Sequence, residues 1–237
     1  MRQFPKPAKV AIPLLVLMLV GGCTWGFGGG EEVPEMHRNL SKTVDIQTAV
    51  VQGDLEKARK GAAWLLERED AMIVPPAGAD YQRAMLNAAS GIRAAQDLKT
   101  MAGLTGQLAG GCGSCHQAVQ GGPRFVVGNN APGGTSQEAQ MIRHLWAADR
   151  MWEGLVGPSD EAWEAGAEAM AQTQPALARA YKASTSAAQS GGFLGEVNRL
   201  ASEALAATTL VERADVYGRL LNTCNRCHNP VGIMVEK

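Results

Sequence analysis

Cys112-Gly113-Ser114-Cys115-His116 and Cys224-Asn225-Arg226-Cys227-His228 both read C-x-x-C-H. In each, two thiols three residues apart lie on the same side of one helical turn, and a histidine follows. Thiols so spaced can add to the two vinyl groups of one porphyrin, with the adjacent histidine aimed at the iron. A C-x-x-C pair alone is shared by zinc sites and dithiol redox motifs. The histidine after both pairs favours haem attachment. Two covalently bound haem c groups are therefore the expected cofactors, on Cys112, Cys115, Cys224 and Cys227, with His116 and His228 as proximal iron ligands. Two alternatives stand beside this. Four thiols could close one tetrahedral zinc site, although the gap between the pairs is long for a zinc ribbon. Structural disulfides would suit an exported chain.

The N-terminus points to export. Arg2, Lys6 and Lys9 form a basic start, and residues 10–20 are an apolar run broken once by Pro13. That run is too short to span a bilayer and predicts a secretory signal over residues 1–22. It ends Val20-Gly21-Gly22-Cys23, which resembles the lipobox of bacterial lipoproteins. The resemblance implies that Cys23 is lipidated and becomes the new N-terminus; the alternative is a plain signal peptide with an incidental cysteine. Haem c is attached outside the cytoplasm, so the two signals agree. Thr24, rather than an aspartate, follows the cysteine, which by analogy with enteric lipoproteins favours the outer membrane. Residues 23–32 read as a Gly-rich tether. Of the five cysteines, one goes to lipid and four to haem, leaving none for a catalytic thiol.

Arg2, Lys6 and Lys9 leave with the signal, so the formal charge of −1 for the whole sequence becomes −4. A mildly acidic chain argues against nucleic acid as a partner. Hydrophobic content of 46% is ample for a core. The chain is rich in Ala, Leu, Glu, Met and Gln and almost without period-2 apolar runs, which predicts an all-α fold. Residues 121–136, with five glycines and two prolines, punctuate the middle. They divide a first unit over 33–122 from a second over 137–237, with 123–136 as linker. The units align as a repeat. At an offset of 112, Tyr81 meets Phe193, Ser90 meets Ser202, Leu98 meets Leu210 and Gly106 meets Gly218. In the first helices an offset of 104 is better, pairing Asp45 with Asp149, Val51 with Leu155 and Gly53 with Gly157. The extra residues of the second unit then fall around Pro158-Ser159 and 174–190.

In the first unit, a helix over 35–52 stops at Gly53, and Asp54 caps a second that runs to about residue 70. Pro75-Pro76-Ala77-Gly78 is a turn. A third helix covers 79–96, and a fourth starts near Asp97 and carries the first motif. The second unit repeats the order, with Ser159 or Asp160 capping its second helix and Pro175 opening the inserted piece. Short connections make neighbours antiparallel, so the expected fold is two tandem four-helix bundles, each with C-x-x-C-H on its last helix.

This arrangement resembles the class II cytochromes c, the group of cytochrome c-prime and its low-spin relatives, as two copies over the whole mature chain. It departs from that group in three ways. The units are shorter, they are duplicated, and no aromatic-plus-basic pair follows either motif: Gln-Ala-Val-Gln follows His116 and Asn-Pro-Val-Gly follows His228. The resemblance implies a distal residue from the first helix of each unit, which decides between an open, ligand-binding iron and a closed, electron-transfer iron. The chain has four histidines; the two outside the motifs, His37 and His144, each fall in a first helix. His37, Leu40, Val44, Thr48 and Val51 make a stripe predicted to face the core; its counterpart is Met141, His144, Ala148, Trp152 and Leu155. His37 and His144 are thus the candidate distal ligands, with Met36 and Met141 as alternatives. Histidine would give low-spin, low-potential iron, and methionine would raise the potential.

Trp64, Trp146, Trp152 and Trp163 are expected to pack in the core. Arg124 and Arg226 could pair with haem propionates or simply be solvated. Glu161, Glu164 and Glu168 read as a solvated face. No phosphate loop, nucleophile elbow or zinc-protease motif occurs. The expected function is non-enzymatic: a membrane-tethered carrier passing single electrons between redox proteins of the cell envelope. Binding of nitric oxide or carbon monoxide at an open iron is the alternative, and a dihaem peroxidase a more distant one.

Overall fold

A computed structural model of the chain describes residues 32–125, 130–172 and 187–228. The signal, Cys23 and its tether, Pro175, most of the inserted piece and the tail after His228 lie outside the described residues. Among the described residues the fold is all-α, with no strand. The helices are α1 (Glu32–Gln52), α2 (Leu55–Leu66), α3 (Ala79–Ala94) and α4 (Leu98–Ala118), then α5 (Gln137–Val156), α6 (Asp160–Ala171), α7 (Ala187–Ala206) and α8 (Leu210–His228). None of them is long and apolar enough to cross a membrane.

Short polar side chains start these helices by satisfying amides that have no intrahelical partner. Asp54 accepts from the Lys57 amide at 2.8 Å, Asp97 from Thr100 at 2.8 Å and Ser159 from Ala162 at 3.2 Å. Ser159, not Asp160, is the cap of α6. Gly53 turns the chain between α1 and α2 at φ 76°, where a side chain would be strained. The second helix is shorter than expected: α2 ends at Leu66, and a 3₁₀ turn over Glu69–Ala71 replaces its last turn. A second 3₁₀ turn, Pro76–Gly78, occupies the proline turn.

Helix α1 packs on α2 and α4, and α3 lies between α2 and α4; likewise α5 packs on α6 and α8, with α7 between α6 and α8. The two sets meet through α4 against α8, α4 against α5, and α1 against α8. One apolar core runs through both, from Ile46, Ile92 and Leu108 to Met151, Leu200 and Leu220. Trp163 is 1% exposed, and its indole N–H donates to the Ala204 carbonyl at 2.8 Å. Tyr217, fully buried, ties three helices together. Its hydroxyl accepts from Gln47 Nε2 of α1 at 2.6 Å and donates to the Ala148 carbonyl of α5 at 3.1 Å.

Helices α4 and α8 cross with their backbones close together. A Cβ on Gly218 would lie 2.8 Å from Gly103 Cα and 3.0 Å from the Ala102 oxygen; one on Gly110 would lie 2.8 Å from Ala214 Cβ and 3.5 Å from the Leu210 oxygen. As numbers rise along α4 they fall along α8, so the two helices are antiparallel. Ser114 therefore stands near the level of Thr208, and Arg226 lies about 18 residues, ~27 Å, further along α8 at 1.5 Å per residue. The two C-x-x-C-H motifs sit toward opposite ends of this crossing.

The buried face of α1 differs from the predicted stripe. Asn39, Thr43, Ile46, Gln47, Ala49 and Val50 are buried, whereas His37 and Thr48 are exposed and Val44 is 39% exposed. An apolar 3-4-4-3 pattern passed over the polar residues that turn inward: Gln47 because Tyr217 gives it a partner, Thr43 because its hydroxyl donates to the Leu40 carbonyl at 2.8 Å.

Candidate functional site

Both motifs occupy the last turns of a helix, α4 and α8. Helical spacing puts Cys112, Cys115 and His116 on one side of α4. Cys112 and Cys115 are buried, Cys115 with its Sγ 3.9 Å from the Gly78 carbonyl. Burial, with Cys115 adding to it, pushes the Cys112 thiol up to about 12. Cys224 is likewise pushed to about 12 by burial and by Cys227. A dithiol redox centre needs the opposite, a thiol made acidic by its surroundings.

His116 is half-buried, and its Nδ1 lies 2.8 Å from the carbonyl oxygen of Val156. A carbonyl only accepts, so Nδ1 carries the proton and the lone pair is left on Nε2. A backbone carbonyl on the far nitrogen is the usual way in which a metal-binding histidine has its tautomer fixed. The second motif differs. His228 is exposed at the end of α8, and its charge acts on His144 of α5. Burial, then His228 and Arg143, lowers His144 to about 4. His144 Nε2 is enclosed with no hydrogen-bond partner among the described residues. An enclosed, unpaired ring nitrogen is costly unless something binds it.

The structure thus brings His144 and His228 into one neighbourhood. It leaves His37 exposed on α1; Met36 and Met141 are both half-buried. Arg124 is exposed, and Arg226 stacks on Phe193 at 5.0 Å. Trp152 and Trp163 are core residues, while Trp64 and Trp146 are partly buried under Arg68 and Arg150. Among the described residues no group of three or more His, Cys, Asp or Glu side chains comes together to hold a metal ion. The two thiol pairs therefore do not converge on one tetrahedral site, and the four described cysteines are not joined in disulfides. A groove of about 750 Å³ runs along the α4–α8 crossing between Tyr81, Gln107, Ser114 and Asp215. It lies on the side of α4 away from Cys112 and Cys115.

Sequence reasoning missed the Val156 carbonyl altogether, since a backbone acceptor 40 residues away leaves no mark in a motif. Comparison with protein-family models, curated proteins and solved structures gave no match to this chain.

Proposed function

We propose that the chain is a dihaem c-type cytochrome of the bacterial cell envelope. It is exported behind residues 1–22, anchored by lipid at Cys23, facing the periplasm and most simply held at the outer membrane. It passes single electrons between partner redox proteins. In this reading α1–α4 and α5–α8 are two tandem four-helix bundles of the class II cytochrome kind, each with its attachment motif on the last helix.

The observation that carries the proposal is the tautomer of His116. Its Nδ1 proton is committed to the Val156 carbonyl, which leaves Nε2 as the iron-binding atom beside two thiols on the same helix face. At the second motif, the enclosed and unpaired Nε2 of His144 near His228 supplies the distal donor, with Met141 one turn earlier as its alternative. Haem, when bound, supplies a one-electron iron couple. The protein would hold it through Cys112, Cys115, Cys224 and Cys227, with His116 and His228 as the proximal ligands. Thiols as buried as Cys112 would have to react before α4 packs against its neighbours.

The exposure of His37 favours a second reading for the first site alone. With His37 turned outward, Met36 is the remaining donor on α1; were it not to bind, that iron would keep an open side and bind small gases such as nitric oxide or carbon monoxide. The deciding experiment is a pyridine haemochrome count with optical spectra of the oxidised and reduced protein, before and after carbon monoxide. Two c-type haems per chain with low-spin bands unmoved by the gas are the expected result. None would overturn the proposal, and one would remove it from one half. Half the haem responding to the gas would establish the second reading.

A further inference from the structure

The contact that fixes His116 comes from outside its own half of the chain. Val156 is the last residue of α5, so its carbonyl belongs to the group at a helix end that lacks intrahelical partners and carries the negative pole of the helix dipole. Three glycines shape the surroundings of this contact. Gly113, inside the motif, has no room for a side chain: a Cβ there would run into the Leu155 carbonyl, 3.2 Å from its carbon. Gly122, at φ +102°, lays its backbone against the imidazole, and a Cβ would sit 2.7 Å from His116 Cβ and 2.8 Å from Cδ2. Gly157 admits the Phe125 ring, whose Cδ2 and Cε2 would each be 2.8 Å from a Cβ on that glycine.

The second motif has a matching contact. By the repeat, Val51 corresponds to Leu155 and Asn225 to Gly113, and Asn225 Nδ2 donates to the Val51 carbonyl at 3.3 Å. Each half's first helix therefore ends against the other half's motif, as the antiparallel crossing of α4 and α8 requires. The two contacts are unequal in kind. In the second, the donor is the amide of Asn225; in the first, it is the ring of the motif histidine itself.

We infer that the C-terminal end of α5 sets the donor strength of His116 and so lowers the potential of the first iron site. The inference rests on the haem reading above. A hydrogen bond from Nδ1 to a carbonyl at the negative end of a helix draws the proton outward and leaves more electron density on Nε2. A stronger donor stabilises the ferric over the ferrous iron and lowers the reduction potential. The second half thus tunes the first, and α5 positions His116 without being a ligand.

The test is spectroelectrochemical titration of the full-length haem-loaded protein, with two variants on the same helix. Gly113→Ala drives a methyl group into the Leu155 carbonyl and pries the end of α5 from His116. Gly103→Ala adds a methyl group where nothing lies within 4 Å. Gly113→Ala should raise one of the two midpoint potentials by about tenfold in the equilibrium constant, ~59 mV for one electron, and leave the other in place. Gly103→Ala should move neither. In parallel, NMR in D₂O should show one slowly exchanging haem-histidine Nδ1 proton in the wild type, speeded in Gly113→Ala. Phe125→Leu, which loosens the same helix end without a clash, reads the same shift should Gly113→Ala fail to accumulate. Unchanged potentials, or equal movement of both, with two haems still bound, would overturn the inference. Loss of the haem count in the wild type would instead overturn the reading beneath it.

Discussion

The close crossing of α4 and α8 makes a prediction that needs no cofactor. Gly218→Ala and Gly103→Ala are the same chemical change at facing points of two helices. Each gains ~1 kcal/mol of helix propensity, because alanine loses less backbone entropy than glycine. They differ in what the new methyl group meets. At Gly218 it would lie 2.8 Å from Gly103 Cα and 3.0 Å from the Ala102 oxygen, whereas at Gly103 nothing lies within 4 Å. Carbon atoms pack at about 3.5–4.0 Å, so Gly218→Ala must force the helices apart by roughly 1 Å. The obstructing atoms are backbone and cannot rotate away, which puts the cost near the top of the ~1–3 kcal/mol range for overpacking. Gly103→Ala should therefore stabilise by up to ~1 kcal/mol and Gly218→Ala destabilise by ~1–2 kcal/mol. At ~2–4 °C per kcal/mol for a chain of this size, the two melting temperatures should differ by ~4–12 °C. Thermal unfolding followed by circular dichroism measures both. Equal melting temperatures, or a Gly218→Ala protein more stable than wild type, would refute the close crossing.

Tyr217→Phe removes a hydroxyl that accepts from Gln47 at 2.6 Å and donates to Ala148 at 3.1 Å; leaving the buried Gln47 amide unpaired should cost ~1–3 kcal/mol in urea unfolding. Glu35 accepts from Arg68 Nε at 2.8 Å and Nη2 at 3.1 Å, and this guanidinium, with help from Arg38, holds its carboxyl below the ordinary 4.5. Because the folded value lies below the unfolded one, the stabilisation is complete above about pH 4.5 and is lost as pH falls through the folded value. Unfolding midpoints of wild type and Glu35→Gln should then differ at neutral pH and converge in acid; a constant gap would count against the pair. In the haem-loaded protein, His144→Leu should leave two haems bound but make half of them reactive toward carbon monoxide, and an unaltered gas response would remove His144 as a ligand.

Helix order and most helix starts were legible because they are local. Asp54, Asp97 and Ser159 announce their helices by the amides they cap, and Gly53 announces a stop. The buried face of α1 was not legible. Asn39, Thr43 and Gln47 turn inward, and Gln47 does so because of Tyr217, a hydroxyl 170 residues away. The motifs were legible as sequence, while what packs around them was not. The partner of His116 is a main-chain carbonyl, which any residue at position 156 would supply. Glycines such as Gly113 and Gly218 read in isolation as weak points of a helix; they are places where one backbone must approach another.

The same small residues bind α1–α4 and α5–α8 to each other. A lone first unit would expose the face of α4 where Gly106 and Gly110 now lie against α8, and would lose the carbonyl that orients His116. A lone second unit would lose the Gln47 and Val51 contacts to Tyr217 and Asn225. The antiparallel crossing that creates this mutual dependence also carries the motifs to opposite ends, ~27 Å apart along the helices. Two stacked cofactors would share one approach; two at opposite ends present two. In the proposed electron carrier, that geometry would give a donor one end and an acceptor the other.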